Sequence, residues 1–274
     1  MTAELDRAAE LLAGADALLI CAGAGMGVDS NLPDFRGDEG FWRAYPPYER
    51  LGLRFVELAD PVHFAQDPEL AWGFYGHRLA LYRTTVPHDG FTVLAKWAAR
   101  VPTRVFTSNV DGQFQRAGFP PEHVTEVHGS IHHLQCLHPC QTATWPADGL
   151  DVEVDPATMR AVGPLPRCPH CGSLARPNIL MFGDTAWVPD RTRQRLDALT
   201  AWRRATRSRA LAVVEIGAGT AVPTVRRQAE LASAATGALI RINPREPAVR
   251  HGRGIPLAMG ALAALSQLDA RLAG

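Results

Sequence analysis

The chain has 274 residues, with 28 Lys+Arg balanced by 28 Asp+Glu and a net charge of zero, so it lacks the basic field that a nucleic-acid binder needs. Its length suits one large domain with an insertion, or two modest ones, and its apolar and charged fractions are those of an ordinary globular protein. The longest uncharged apolar stretches, 17–28 and 254–268, fall short of a membrane span and are broken by Gly and Pro, which excludes a membrane partner from the reading.

Glu4, Asp6 and Glu10 lie among Ala and Leu, a pattern for an amphipathic first helix and not for a secretory leader, so a cytoplasmic location is expected. The run Ala17–Cys21 then leads into Gly23-Ala24-Gly25. From Phe41 to about Trp97 the pattern is helical, anchored by Trp42, Tyr45, Trp72, Phe74, Tyr75 and Tyr82. Residues 101–131 read as strand, loop, helix and strand, with Arg104–Phe106 leading to Thr107-Ser108-Asn109-Val110-Asp111. Residues 132–176 are irregular and rich in Cys, Pro and His. Alternation then resumes with a strand at Asn178–Phe182 and a helix at Thr192–Arg207. A strand at Leu211–Ile216 leads to Gly217-Ala218-Gly219-Thr220, and one at Ala238–Ile242 leads to Asn243-Pro244. A helix at Ala258–Leu272 closes the chain.

Short aliphatic runs between helical patterns are buried strands of a parallel sheet, and ligands bind beyond the carboxyl ends of such strands. Strand ends carrying Gly, Asn, Asp and Thr therefore describe one nucleotide-sized site. The fold class is α/β: a doubly wound, Rossmann-like parallel sheet from residues 1–40, 98–131 and 177–274. A helical insertion at 41–97 and a smaller cysteine-bearing module at 132–176 interrupt it.

Cys136, Cys140, Cys168 and Cys171 form two close pairs, and Cys21 stands alone as a small buried residue. Paired cysteines in a chain without a leader point to metal, here a tetrahedral thiolate zinc site. His138 or His170 is an alternative ligand. Four thiolates close the coordination sphere, so the zinc is structural and not catalytic. Otherwise His132, His133, His138 and His170 read as polar surface or core residues.

Gly23-Ala24-Gly25-Met26-Gly27, following a strand, lets the backbone approach a pyrophosphate, although its third glycine comes one residue earlier than in G-x-G-x-x-G. Pro33-Asp34-Phe35-Arg36-Gly37, Thr107–Gly112 and Val127-His128-Gly129-Ser130 follow, then the two cysteine pairs, Arg176–Asp184 and Ile242-Asn243-Pro244. In that order over about residues 15–270, the chain resembles the sirtuins, the NAD-dependent protein-lysine deacylases.

The resemblance implies NAD as co-substrate, structural zinc and an acyl-lysine protein or peptide as partner. It assigns Gly23, Ala24 and Gly25 to the NAD phosphates, joined on the cofactor by Ser108, Gly217 and Gly219, and Asn243 to the adenine-side ribose. Asp34, Phe35 and Arg36 fall on a loop over the nicotinamide ribose, Asn109 and Asp111 in the nicotinamide pocket, and His128 becomes the general base. His is the side chain whose ordinary pKa suits deprotonation of a ribose hydroxyl near neutral pH. Met181, Phe182 and Gly183 would pair with the substrate backbone. Tyr75 and Arg78 match a Tyr-x-x-Arg that grips acidic acyl groups, for which a forked, permanent cation is suited.

Departures from the family pattern are Gly27, Asn31, Ser108 in place of Gln, a first cysteine pair one residue wider than usual, and the segment from Glu215 to Pro223. Ser108 and Gly217–Thr220 motivate a rival reading, an ADP-ribosyltransferase or NAD hydrolase; a second rival is a non-catalytic NAD-binding or partner-binding module, against which His128, Asn109, Asp111 and Arg36 argue. The acyl group, target proteins and oligomeric state stay open.

Overall fold

The computed structural model describes residues 2–34, 41–42, 45–50, 52–141 and 143–274. In chain order the strands are β1 (Ala17–Ala22), β2 (Thr103–Thr107), β3 (Val124–Glu126), β4 (Gly129–Cys136), β5 (Trp145–Pro146), β6 (Val154–Asp155), β7 (Arg160–Ala161), β8 (Ala175–Ile179), β9 (Leu211–Ile216), β10 (Leu239–Ile242) and β11 (Ile255–Leu257). Six of them form one sheet, ordered β11-β10-β9-β1-β2-β3, and every pairing in it is parallel. The central strand β1 is buried along its whole length, as expected of the aliphatic run Ala17–Ala22 with helices on both faces.

One face of the sheet carries the helices Thr2–Ala13, Asp89–Ala98 and Ala261–Ala273. The last of these turns Ala261, Ala264, Leu265 and Leu268 inward at the helical period. The other face packs Leu199 and Trp202 of helix Asp190–Ala205 and Val225 and Ala229 of helix Thr224–Ser233 against Leu19, Val213 and Leu239. The chain winds outward through β1, β2 and β3, then restarts at β9 on the opposite side of β1. The strand order reverses between β1 and β9, and a crevice opens at such a point beyond the strand ends.

The remaining strands depart from expectation. Residues 129–136, read as mostly irregular, form β4, which pairs antiparallel with β5 and β8 in a second sheet. The strand expected at 178–182 is observed as β8, three residues earlier, and it belongs to that second sheet. β11 was not expected, and the closing helix starts at Ala261 because residues 255–257 complete the parallel sheet. Helix Asp89–Ala98 packs Phe91, Leu94 and Trp97 into the core under the parallel sheet and not with the helical insertion.

The two expected insertions share a single core. Tyr45, Phe64, Trp72, Phe74 and Leu79 pack against Ile131, Leu134, Met159 and Ala161, and Trp72 Nε1 donates to the Ala175 carbonyl at 2.9 Å. Helix Pro68–Thr84, with Asp67 as its N-cap and Pro68 in its first turn, is therefore apolar on most sides.

Candidate active site

A cavity of about 720 Å3 opens at the switch point between β1 and β9, a size within the range of small-molecule and cofactor sites. Loops after five parallel strands line it: Gly23 and Ala24 after β1, Ser108–Asp111 after β2, His128 after β3, Gly217–Val222 after β9, and Arg245 and Glu246 after β10. The second lobe closes it with Phe55, Tyr75, Arg78, Tyr82 and Ile179–Phe182.

The loops after β1 and β9 cross at close quarters. The Gly217 backbone has φ +64°, and a Cβ there would meet the Gly25 carbonyl carbon at 2.4 Å, so no other residue fits without moving the loop. The Gly23 N–H donates to the Ile216 carbonyl at 2.9 Å and the Gly25 N–H to the Gly217 carbonyl at 3.0 Å. These two amides are bonded within the fold. Gly25 does not line the cavity, whereas Gly23, Ala24, Gly217 and Gly219 do.

Asn243, expected at the adenine-side ribose, is not among the residues that line the cavity. It is fully buried; its Nδ2 donates to the Ala218 carbonyl at 2.9 Å and its Oδ1 accepts the N–H groups of Arg245 and Glu246, both at 3.0 Å. The side chain shapes the two loops that form the cavity wall. Arg226 reinforces the same corner by donating to the carbonyls of Ala218, Glu246 and Ala248.

At the other end, Asn109 Nδ2 donates to the Gly23 carbonyl at 3.1 Å and ties the β2 loop to the β1 loop. Asp111 Oδ1 accepts the Gln113 N–H at 2.9 Å. Burial pushes the Asp111 carboxyl up to about 6; the Glu126 carboxylate adds to the rise, while the Gln113 N–H and the Arg78 cation oppose it. His128 lies mostly buried on the cavity wall, and burial lowers its pKa below the ordinary 6.5. Its imidazole is therefore neutral at pH 7, the form a general base requires. Gly129 makes the sharp exit from this position, with φ +81° and the Asn178 carbonyl oxygen 2.0 Å from where a Cβ would stand.

Asp34 also lines the cavity; Phe35 and Arg36 lie outside the described residues. Met181 and Phe182 border the cavity, whereas Gly183 does not. The Phe182 N–H donates to the Ala59 carbonyl at 3.0 Å, so this amide is engaged within the chain. The loop is fixed from below by Arg176, which makes a two-pronged pair with Asp184 at 2.7 and 2.8 Å, both side chains fully buried. Removing one partner of such a pair leaves an uncompensated charge, so Asp184→Ala should cost about 3–5 kcal/mol of stability in a urea titration. An unchanged midpoint would show that the pair holds nothing.

The four expected zinc ligands converge, all within 4.8 Å of one another. Cys136 and Cys171 sulfurs are 3.6 Å apart, and those of Cys140 and Cys168 are 3.7 Å apart. A tetrahedron with Zn–S bonds of about 2.3 Å has S···S edges of about 3.8 Å, so the sulfurs fit a zinc ion. Among the described residues neither His138 nor His170 joins the cluster.

Glu215, one of the departures, has a structural account. It lies opposite Arg241 on β10 and accepts from that guanidinium at 2.7 Å through both oxygens, with both side chains fully buried. Glu230 meets the same guanidinium at 3.0 Å. The sequence reading missed Tyr82, Arg245 and Glu246 on the cavity wall. Arg245 and Glu246 immediately follow a strand end, so the rule that found the other loops would have found them.

Known proteins are similar to this chain over most of its length. A family model described as Sir2 family matches residues 23–202. The NAD-dependent protein deacylase 1 of Pseudomonas aeruginosa is 33% identical over 246 residues, covering 89% of each chain. The NAD-dependent protein deacylase of Mycobacterium leprae is 30% identical over 258 residues, covering 93% of this chain and 97% of that protein. The crystal structure of a Sir2 homolog–NAD complex superposes with a TM-score of 0.74 at 26% identity, covering 97% of this chain and 93% of that one. With the switch-point cavity, the four-sulfur cluster and these matches together, the chain belongs to the Sir2 family.

Proposed function

We propose that the chain removes acyl groups from protein lysines with NAD as co-substrate, releasing nicotinamide, free lysine and O-acyl-ADP-ribose. The observation that carries this reading is a single cavity joining the strand-end loops of the switch point to His128 and to a wall of exposed apolar residues, Leu180 and Phe182. The similarity to proteins named NAD-dependent protein deacylases supports it. NAD, when bound, supplies a glycosidic bond with nicotinamide as its leaving group and the ribose hydroxyls that receive the acyl group.

Gly23, Ala24, Gly217, Gly219, Arg245 and Glu246 would hold the dinucleotide, and Asn109 and Asp111 its nicotinamide end. Ser108 lies on the same wall, and Asp34, with Phe35 and Arg36 beyond the described residues, completes the ribose side. Neutral His128 takes the proton of a ribose hydroxyl on a ring nitrogen. Leu180, Met181 and Phe182 form the substrate side. The buried Glu215–Arg241 pair gives that departure a structural origin and removes it as an argument for ADP-ribosyl transfer or NAD hydrolysis. A cytoplasmic location accompanies the reading, supported by four thiols clustered as ligands, which oxidising compartments would convert to disulfides.

The acyl end favours an acidic group. Tyr75 and Arg78 line the cavity, almost wholly buried, and the Tyr75 hydroxyl is buried without a hydrogen-bond partner. A terminal carboxylate would satisfy that hydroxyl and meet the guanidinium. Hydrogen bonds to charged groups are worth about 1.5–3 kcal/mol, so Arg78→Met should lower desuccinylation about ten- to a hundredfold and leave deacetylation nearly unchanged. Steady-state assays on succinyl-lysine and acetyl-lysine peptides test this. Equal losses on both, or no loss on either, would reject the acidic-acyl assignment.

A further inference from the structure

Tyr82 lies one helical turn beyond Arg78 on helix Pro68–Thr84, on the same face, and lines the same cavity with 4% of its surface exposed. Its hydroxyl oxygen accepts two bonds from Arg78, from Nε at 3.0 Å and from Nη2 at 2.8 Å. A tyrosine hydroxyl offers two acceptor positions and one proton. Both acceptor positions are taken by one guanidinium, so the phenolic proton is directed away from Arg78, and among the described residues nothing accepts it.

The guanidinium is fixed in more than one direction. Its central carbon lies 5.1 Å from the Phe74 ring centroid, 5.5 Å from Tyr75 and 5.3 Å from Tyr82, three cation–π contacts around one cation. The two bonds to Tyr82 engage the Nε–Nη2 edge and so set the plane of the fork. The Tyr75 ring is one of those three, and its hydroxyl is buried without a partner. Among the described residues, the charged and titratable groups that act on this region include Tyr45, Tyr75, Tyr82, the Arg176–Asp184 pair and the Asp111 carboxylate. Asp111 disfavours a second carboxylate nearby, so an acidic acyl group needs every donor the pocket can direct at it.

We propose that Tyr82 is a specificity-determining residue of the deacylation reaction: it clamps the guanidinium of Arg78 and donates its own phenolic proton to the terminal carboxylate of the acyl group. The inference rests on the acidic-acyl reading of Tyr75 and Arg78. It assigns the pocket three directed groups, two tyrosine hydroxyls and one guanidinium, with Tyr82 holding the guanidinium as well as touching the ligand.

The test compares wild type, Tyr82→Phe and Arg78→Met on succinyl-lysine and acetyl-lysine peptides at saturating NAD, with thermal melts of each. The Tyr82→Phe ring keeps its packing but leaves two donors of the buried Arg78 unpaired, so its melt should fall by a few degrees while the variant stays folded at assay temperature. Its KM for the succinyl peptide should rise about tenfold, the loss of one hydrogen bond to a charged group, while kcat/KM on the acetyl peptide stays close to wild type. Equal losses on the two peptides, or unchanged desuccinylation by Tyr82→Phe while Arg78→Met loses it, would overturn the role of Tyr82 and leave the acidic-acyl reading standing. Wild-type enzyme that ignores succinyl-lysine would overturn both.

Discussion

His128→Ala should abolish measurable deacylation while NAD binding stays close to wild type. General bases contribute about 10²–10⁴-fold to rate, and no other imidazole lines the described cavity to replace this one. The dinucleotide loops of β1, β9 and β10 are built by backbone bonds that do not involve the His128 side chain, so they survive the substitution. The wild-type pH profile has a sign fixed by burial. His128 works neutral and its pKa is lowered from 6.5, so activity is retained through neutrality and lost as pH falls through that lowered value. Asp111 titrates at about 6 and adds to the same acid limb, so Asp111→Asn should leave only the His128 titration in it. Isothermal titration with NAD and initial rates between acid and neutral pH check both parts. Wild-type turnover by His128→Ala would remove this residue from the mechanism.

Removal of zinc should have the second large effect. A structural zinc site contributes about 10–16 kcal/mol to folding, as much as the whole stability of an average domain. The cysteine cluster closes β4 and the turn before β8, and those strands share their core with the helix that carries Tyr75 and Arg78. A strong chelator, or Cys168→Ala, should therefore lower the melting temperature sharply and abolish activity together. Freshly purified protein should hold about one zinc per chain by elemental analysis, since four thiolates make one closed site. A folded, active chain free of zinc would contradict the assignment.

The parallel sheet was legible because its strands are short aliphatic runs that end in Gly, Asn or Asp, and β1 and β9 match their expected bounds to within a residue. The second sheet was hidden by its polar content. β8 carries Arg176 and Asn178, both fully buried, whose demands are met outside the strand by Asp184, Gln135 and Val188. β4 carries the pair His132-His133, which breaks the alternation of a half-buried strand. β11 is only three residues long with a proline at its centre. Helix Asp89–Ala98 follows the insertion directly, and only its contacts with helix Ala261–Ala273 reveal which core it serves.

The cysteine cluster was legible because one residue type carries its chemistry, and His128 and Asp111, read from their motifs, stand on the cavity wall. The site was illegible where a side chain acts on backbone. Nothing local in Asn243 distinguishes a ribose contact from a bond to the Ala218 carbonyl, and nothing local in Gly25 shows that its amide meets Gly217. Tyr82 read as an aromatic anchor because its partner, Arg78, was read separately as a ligand contact.

The central claim is an acyl transfer from lysine to the ribose of NAD, and the products of one incubation test it most directly. Purified enzyme, NAD and a succinyl- or acetyl-lysine peptide should yield free-lysine peptide, nicotinamide and O-acyl-ADP-ribose in equal amounts by mass spectrometry. Peptide carrying ADP-ribose, or free ADP-ribose and nicotinamide with the acyl-lysine intact, would contradict the account.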